Sequence, residues 1–557
     1  MSPYQSMGKR GFVEMDHPSW FAATAAFLIG AILAMTPTQA SCQDEAQKEA
    51  PTRPESRLES NRTLASQLTV SLKSARGRLK AGDPRIAEYE RTIAETTQLQ
   101  RAGRTGAARR LLYRMLAVLL GREWTERDEY WRSFVLRPDT AVSDPSSPLI
   151  VRLGQIYPST YTLQLPLKIR AAFVAPPAPQ QKHGMNKVLK ELGTFDAISP
   201  DLIDEPFAFA ADLSDQPDGV YRVDVDIFEG DKPLTRLAAP VCLVRGLAAA
   251  REDAERRLGA IQGHDGAKAS VRYPFDFALK VNLGLVDSRG MDFGAAIQRS
   301  NEILATLEKG ADPVWQAVGY QKRHYWLEEA DEIMPYRLYV PKAYDGVRPY
   351  PLIVALHGNG GTEDTMMAGG EKGLMITLAE ENGYIVASPK GYRPDGGYGG
   401  KAEGEWDPAK SRASRFSEMD VMNVLRLVRS EYKIDDNRIY LMGHSGGGGG
   451  TWRLGAKYPE IWAALGPISS AAGGFSADSL ERMRHIPVIV CHGDADSIAP
   501  VSASRALVAK MKELGMTYEY FEKPGGTHAM TTSSLPRIFE FFNRHQRVAK
   551  AQEKETQ

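Results

Sequence analysis

From Tyr336 onward the chain alternates short apolar runs with amphipathic stretches, and no other feature constrains its fold as tightly. The candidate strands are Arg337 to Val340, Pro351 to His357, Tyr384 to Pro389, Arg438 to Gly443, Ala464 to Ser469, Pro487 to His492 and Tyr518 to Glu522. Helical spacing occupies Glu371 to Asn382, Ser417 to Tyr432, Gly449 to Tyr458, Ser502 to Leu514 and Arg537 to His545. A strand that is apolar at successive positions must bury both of its faces, and amphipathic helices in the connections supply the cover. The pattern therefore predicts an α/β unit, a mostly parallel sheet between two layers of helices.

One turn in that rhythm carries chemistry. Gly443-His444-Ser445-Gly446-Gly447 follows the buried-strand pattern Arg438-Ile439-Tyr440-Leu441-Met442 and leads into a helix containing Trp452, Leu454 and Tyr458. This is a Gly-x-Ser-x-Gly elbow: a sharp strand-to-helix turn presents the serine hydroxyl, and the glycines let neighbouring backbone pass without Cβ clashes. The helix that follows aims amide hydrogens and a positive dipole end at any oxyanion formed there. Gly446 to Gly450 is a run of five glycines, but Thr451 follows it directly, with no lysine between. A phosphate-binding loop requires that lysine, so the run is not one.

A serine hydroxyl is a poor nucleophile unless an imidazole takes its proton, and the imidazole needs a carboxylate to orient it. After an elbow of this kind the partners follow in the order acid, then histidine. Pro487-Val488-Ile489-Val490 runs into Cys491-His492-Gly493-Asp494-Ala495-Asp496, and loops at the C-terminal ends of parallel strands are where functional groups converge. Asp496 is the first choice for the acid and Asp494 the alternative. Four histidines follow the serine: His485 before a strand, His492 at a strand end, His545 in the final helix, and His528 in the glycine-rich loop Lys523 to Ala529. A base on such a loop can reach across to its neighbour, which selects His528. An oxyanion hole needs two backbone amides. Gly446 supplies one, and the loop His357-Gly358-Asn359-Gly360-Gly361 the other, from Asn359 first and Gly360 second.

Upstream of this region, residues 1–40 read as an export signal. Lys9 and Arg10 precede an apolar run from Trp20 to Met35, and Thr38-Gln39-Ala40 offers a small-x-small cleavage site. That run is short for a membrane span, so no stable span is expected after cleavage. Cys42 raises a lipoprotein anchor as an alternative, with Gln39 standing where an aliphatic residue would be expected. Residues 41–57 read as a polar linker, 58–146 as a helical domain, 147–247 as a small β-sandwich, 248–334 as a helical connector, 335–548 as the catalytic domain and 549–557 as a polar tail. Lys plus Arg and Asp plus Glu balance at 69 each. That leaves no net field to attract nucleic acid or an anionic membrane, and it suits a small or neutral substrate. Three cysteines make no disulfide framework; Cys242 and Cys491 lie in apolar runs and read as buried thiols. No Cys or His pair has ligand spacing, so neither a metal nor a cofactor is expected. The sequence says nothing about oligomeric state.

Tyr336 to Tyr344, the Leu356 to Gly361 loop, Ile434 to Tyr440 leading into the Ser445 elbow, and His492-Gly493-Asp494-Ala495-Asp496 together resemble secreted esterases. The closest pattern is the feruloyl esterase and polyhydroxybutyrate depolymerase group, with overlap to prolyl oligopeptidase-like predicted peptidases. The resemblance covers residues 335–548 and implies an α/β-hydrolase fold with a Ser445, Asp496, His528 triad. It departs from the group in the extra glycines after Gly447 and in having no evident disulfide pair. The implied activity is that of an exported serine carboxylic ester hydrolase acting on a small-molecule or polymer-linked ester. The alternatives are a serine peptidase of the same fold and a binding protein with a vestigial hydrolase domain. Tyr392 to Trp406 reads equally as a wall of the acyl or aryl pocket and as a mobile surface loop.

Overall fold

A computed structural model describes residues 68–547, apart from 69–70, 73, 81, 103, 176–186, 289, 394–395, 400–407 and 471–474. The export signal, Cys42, the linker to residue 57 and the polar tail lie outside the described residues. Helical residues 71–72 and 74–77 pack against a hairpin of α1 (Pro84–Arg101) and α2 (Thr105–Leu119). Leu68, Leu72 and Ala75 meet Leu112, Met115 and Leu119 of α2 in a small core of their own. Next comes α3 (Glu126–Ser133), which opens on a capping box: the Thr125 hydroxyl accepts from the Asp128 amide while the Asp128 carboxylate accepts from the Thr125 amide.

Strands begin at Phe134, inside the stretch read from sequence as helical. The first sheet pairs β1 (Phe134–Pro138), β3 (Leu149–Gln155) and β6 (Phe207–Ala211). The second runs in the order β2 (Val142–Ser143), β8 (Lys232–Leu243), β7 (Gly219–Glu229), β4 (Leu167–Val174), β5 (Val188–Ile198). Leu149, Val151 and Leu153 of one sheet share a core with Ile169, Phe173, Val223 and Val225 of the other, which makes a β-sandwich. Three helices follow, α4 (Leu247–Leu258), α5 (Asp265–Asn282) and α6 (Phe293–Leu307). They enclose Val271, Phe293 and Leu304 together with Cys242, a free and buried thiol.

The largest sheet has eight strands in the order β16, β15, β14, β13, β11, β12, β10, β9. Its residues are β9 (Gly319–Leu327), β10 (Glu332–Val340), β11 (Tyr350–Leu356), β12 (Ile385–Pro389), β13 (Ile434–His444), β14 (Ala464–Ile468), β15 (Val488–Gly493) and β16 (Tyr518–Lys523). From β12 to β16 all pairs are parallel, whereas β10 pairs antiparallel with both β9 and β12. Alternate residues of β11 feed opposite faces: Leu352, Val354 and Leu356 join one core, Ile353 and Ala355 the other. The first core is covered by α8 (Pro408–Glu431), α9 (Gly446–Lys457) and α10 (Val501–Glu513), through Val421, Val424, Trp452, Leu507 and Met511. The second lies under α7 (Leu374–Asn382) and α11 (Thr531–Asn543), through Met375, Ile538, Phe539 and Phe542. This is the α/β-hydrolase arrangement, and every strand expected after Tyr336 is present.

Two features differ from the sequence reading. Gly319–Leu327 belongs to the hydrolase sheet rather than to a helical connector, so that sheet starts before residue 335. Its Lys322 and Arg323 resemble a solvated face, yet Arg323 is buried and paired with Glu431 at 2.8 Å, and Lys322 meets Glu363 at 2.9 Å. The other difference is α9, which starts at Gly446 rather than Gly449, so the whole glycine run is helical. Strand order reverses between β11 and β13, and the loops leaving these neighbours diverge to opposite sides of the sheet. That divergence opens a crevice at their C-terminal ends.

Candidate active site

Ser445 stands at this crevice, between the last residue of β13 and the first of α9. Its backbone has φ 56° and ψ −115°, a conformation costly for a residue with a Cβ. The Ser445 amide donates to the Ile468 carbonyl at 2.8 Å, tying the elbow to β14. The glycines around it serve close approach. A Cβ on Gly447 would lie 2.2 Å from the Leu356 carbonyl oxygen, and one on Gly448 would lie 3.0 Å from that of Ile468. At Gly450 the obstacle would be Tyr398, at 2.7 Å. The N-terminal turn of α9 is thus wedged between the ends of β11 and β14, where only glycine fits.

His528 Nε2 lies 2.9 Å from Ser445 Oγ, and His528 Nδ1 lies 2.7 Å from Asp496 Oδ2. All three residues are buried. The amides of Ile498 and Ala499 donate to Asp496 Oδ1 at 2.8 and 2.9 Å. Burial pushes the Asp496 carboxyl up. Hydrogen bonds from His492 and His528 and from the Ala499 amide outweigh it, so its pKa lies well below the usual carboxylate range. Asp494, the alternative acid, is exposed and makes no hydrogen bond to His528. His485 reaches the Pro459 carbonyl and His545 that of Phe541, both away from Ser445.

The loop after β11 lies over the nucleophile. A Cβ on Gly358 would stand 3.1 Å from Ser445 Cβ, and one on Gly446 would stand 3.1 Å from the Asn359 amide nitrogen. Asn359 and Gly446 are therefore neighbours, and Gly360 turns the loop with φ 80°. His357 anchors the loop's base, with Nε2 2.5 Å from the Lys390 carbonyl. Tyr398 packs edge-on against the His357 ring, at 5.6 Å between centroids. The described part of the Tyr392 to Trp406 stretch is anchored: Tyr392 and Tyr398 are buried, and the Gly391 amide donates to Asp420 at 2.6 Å. Residues 394–395 and 400–406 of that stretch lie outside the described residues.

Two further histidines meet here that the sequence reading did not select. His444 Nε2 donates to the His528 carbonyl at 2.8 Å; burial, and then the adjacent His528, push His444 down to about 4, so it works as a neutral donor. His492 Nε2 lies 3.3 Å from Asp496 Oδ2. Its position at the mouth of β15, in His492-Gly493-Asp494-Ala495-Asp496, was the available signal.

Residues 334–504 match the family model described as Esterase PHB depolymerase. Cutinase 1 of Thermobifida cellulosilytica is 32% identical over 96 residues, 17% of this chain and 35% of that protein. Feruloyl esterase B of Thermothelomyces thermophilus is 24% identical over 213 residues, 36% of this chain and 60% of that protein. The chain thus spans about a third of the length of the cutinases it matches. Among solved structures, a ferulic acid esterase of Anaeromyces mucronatus aligns at 20% identity and TM-score 0.35, over 41% of this chain and 92% of its own. A thermostable esterase aligns at 18% identity and TM-score 0.35, over 75% of this chain and all of its own.

Proposed function

We propose, from the match of residues 334–504 to the Esterase PHB depolymerase model and from the esterase relatives, that the protein is an exported serine carboxylic ester hydrolase working through an acyl-enzyme on Ser445. The observation that carries this reading is the unbroken hydrogen-bonded chain from Ser445 Oγ through His528 to Asp496, at the C-terminal edge of a parallel sheet. Ser445 Oγ attacks the ester carbonyl while His528 Nε2 takes its proton, and Asp496 stabilises the resulting imidazolium. The negative oxygen of the tetrahedral intermediate is received by the Gly446 and Asn359 amides, with Gly360 as the second choice on that loop. His528 then protonates the departing alkoxide. Water, deprotonated by the same imidazole, attacks the acyl-serine and releases the acid, and the proton returns to Ser445 Oγ.

The names of the matching family model and relatives, Esterase PHB depolymerase and cutinase, support reading polymer-linked esters as substrates alongside small ones. The basic, apolar and small-x-small succession in residues 1–40 supports export. Among the described residues no helix is long and apolar enough to cross a membrane. The test compares p-nitrophenyl acetate, methyl ferulate and a dipeptide amide on wild type and Ser445→Ala. Both esters should be cleaved by wild type alone, with a burst of p-nitrophenol. Turnover surviving Ser445→Ala sinks the mechanism; cleavage of the amide alone moves the protein to the peptidases; no turnover of any substrate leaves the binding-protein reading.

A further inference from the structure

His492 ends β15 with its side chain fully buried, and each ring nitrogen has defined neighbours. Nδ1 faces Ser504 Oγ on α10 at 2.7 Å. Nε2 faces the Ala499 carbonyl oxygen at 2.9 Å and Asp496 Oδ2 at 3.3 Å. A carbonyl and a carboxylate can only accept, so Nε2 must carry a hydrogen. The Ser504 hydroxyl, which can donate or accept, completes the contacts of Nδ1. The other ionisable groups facing this ring are His528 beyond Asp496, His444 at the end of β13, and Glu522, its cross-strand neighbour on β16. Glu522 is engaged by Arg505 of α10 at 2.5 and 3.0 Å, which comes before its weaker charge interaction with His492.

We propose that His492 is a positioning residue for the triad: its ring donates Nε2–H to Asp496, so that one carboxylate oxygen is shared between two imidazoles. Fully buried polar side chains that find all their partners rigidify the network they join. This one does more, because the oxygen it bonds is the one that holds His528. Sharing that oxygen's charge lowers its pull on the His528 imidazolium, so the base stays unprotonated to lower pH. The Ile498 and Ala499 amides keep the other oxygen in place, so losing His492 changes the charge at Asp496 more than its position.

The inference rests on the proposed triad and is tested so that the two can fail separately. His492→Leu removes the donor; the acid limb of the kcat/KM profile on p-nitrophenyl acetate should move upward by roughly half to one pH unit. His492→Gln places an amide nitrogen where Nε2 stands, and should keep the limb at its wild-type position. An unmoved limb in His492→Leu, or equal movement in both variants, overturns the proposal, since a merely structural role lowers the rate without shifting the limb. Proton–nitrogen NMR of wild-type protein labelled with ¹⁵N-histidine needs no variant to fold. It should find a proton on His492 Nε2, the nitrogen that faces Asp496. A proton on Nδ1 alone overturns the proposal whatever Ser445→Ala does to activity.

Discussion

Asp494 and Asp496 share a loop and a chemistry, yet one is exposed to water and the other is enclosed by four N–H donors. The difference comes from the turn: after β15 the chain curls so that Asp496 points back at the strand end, and Asp494 points out. Asp496→Asn should therefore lower kcat by about three to four orders of magnitude, because the neutral amide favours the wrong histidine tautomer. Asp494→Asn should retain most of the wild-type rate in the same ester assay. The order serine, acid, histidine was legible in the sequence because it follows from topology. The choice between two carboxylates was not, and neither was the return of His492 to a residue four positions on, since both depend on how one loop curls. Asp420 gives a separate test. Burial raises its carboxyl to about 6, against hydrogen bonds from Tyr325 and from the Gly391 amide. The folded state thus holds a proton that the unfolded chain gives up near the ordinary carboxylate value of 3.8, so this group stabilises the fold below that pH and the contribution is lost as pH rises through about 6. In urea melts from pH 4 to pH 7, the stability of Asp420→Asn relative to wild type should increase with pH across that window, a slope that remains after subtracting any constant offset.

Among the elements, α9 is the one whose composition is hardest to reconcile with its conformation. Each helical glycine costs about 1 kcal/mol relative to alanine, and this helix begins with five. The contacts explain the expense. Gly447 meets a backbone oxygen at 2.2 Å, whereas Gly450 meets the Cβ of Tyr398 at 2.7 Å, a smaller overlap that still requires the Tyr398 main chain to shift. Gly450→Ala should cost about 1 kcal/mol, because the gain in helix propensity offsets part of the cost of shifting Tyr398. Gly447→Ala should cost about 1–3 kcal/mol, as overpacking against fixed atoms does, and should lower ester turnover with it. Urea titration of the two variants separates them, and equal losses would contradict the wedge. The parallel strands were legible because both faces are apolar. β9 was not: it carries Lys322 and Arg323, whose partners Glu363 and Glu431 come from distant parts of the chain. Pairing with a remote partner leaves no local signature.

Across the whole molecule, a helical hairpin, a sandwich, three helices and the hydrolase sheet each have a main core, and smaller buried clusters such as Ala269, Tyr273 and Ile333 join neighbouring regions. One contact joins the helical hairpin to the chemistry. A Cβ on Gly77 would stand 2.2 Å from the Ser497 carbonyl oxygen, so the 71–77 segment lies directly against the loop that carries Asp496. Gly77→Leu should push the segment off that loop and reduce kcat roughly tenfold through misplacement of the acid, while far-UV circular dichroism stays unchanged. A variant with wild-type kcat would separate the hairpin from the site. Catalysis in this chain then gauges a part of it that performs no chemistry. Helices with so small a core open at lower free energy than the central sheet, so in rising urea turnover should fade while the eight strands are still intact.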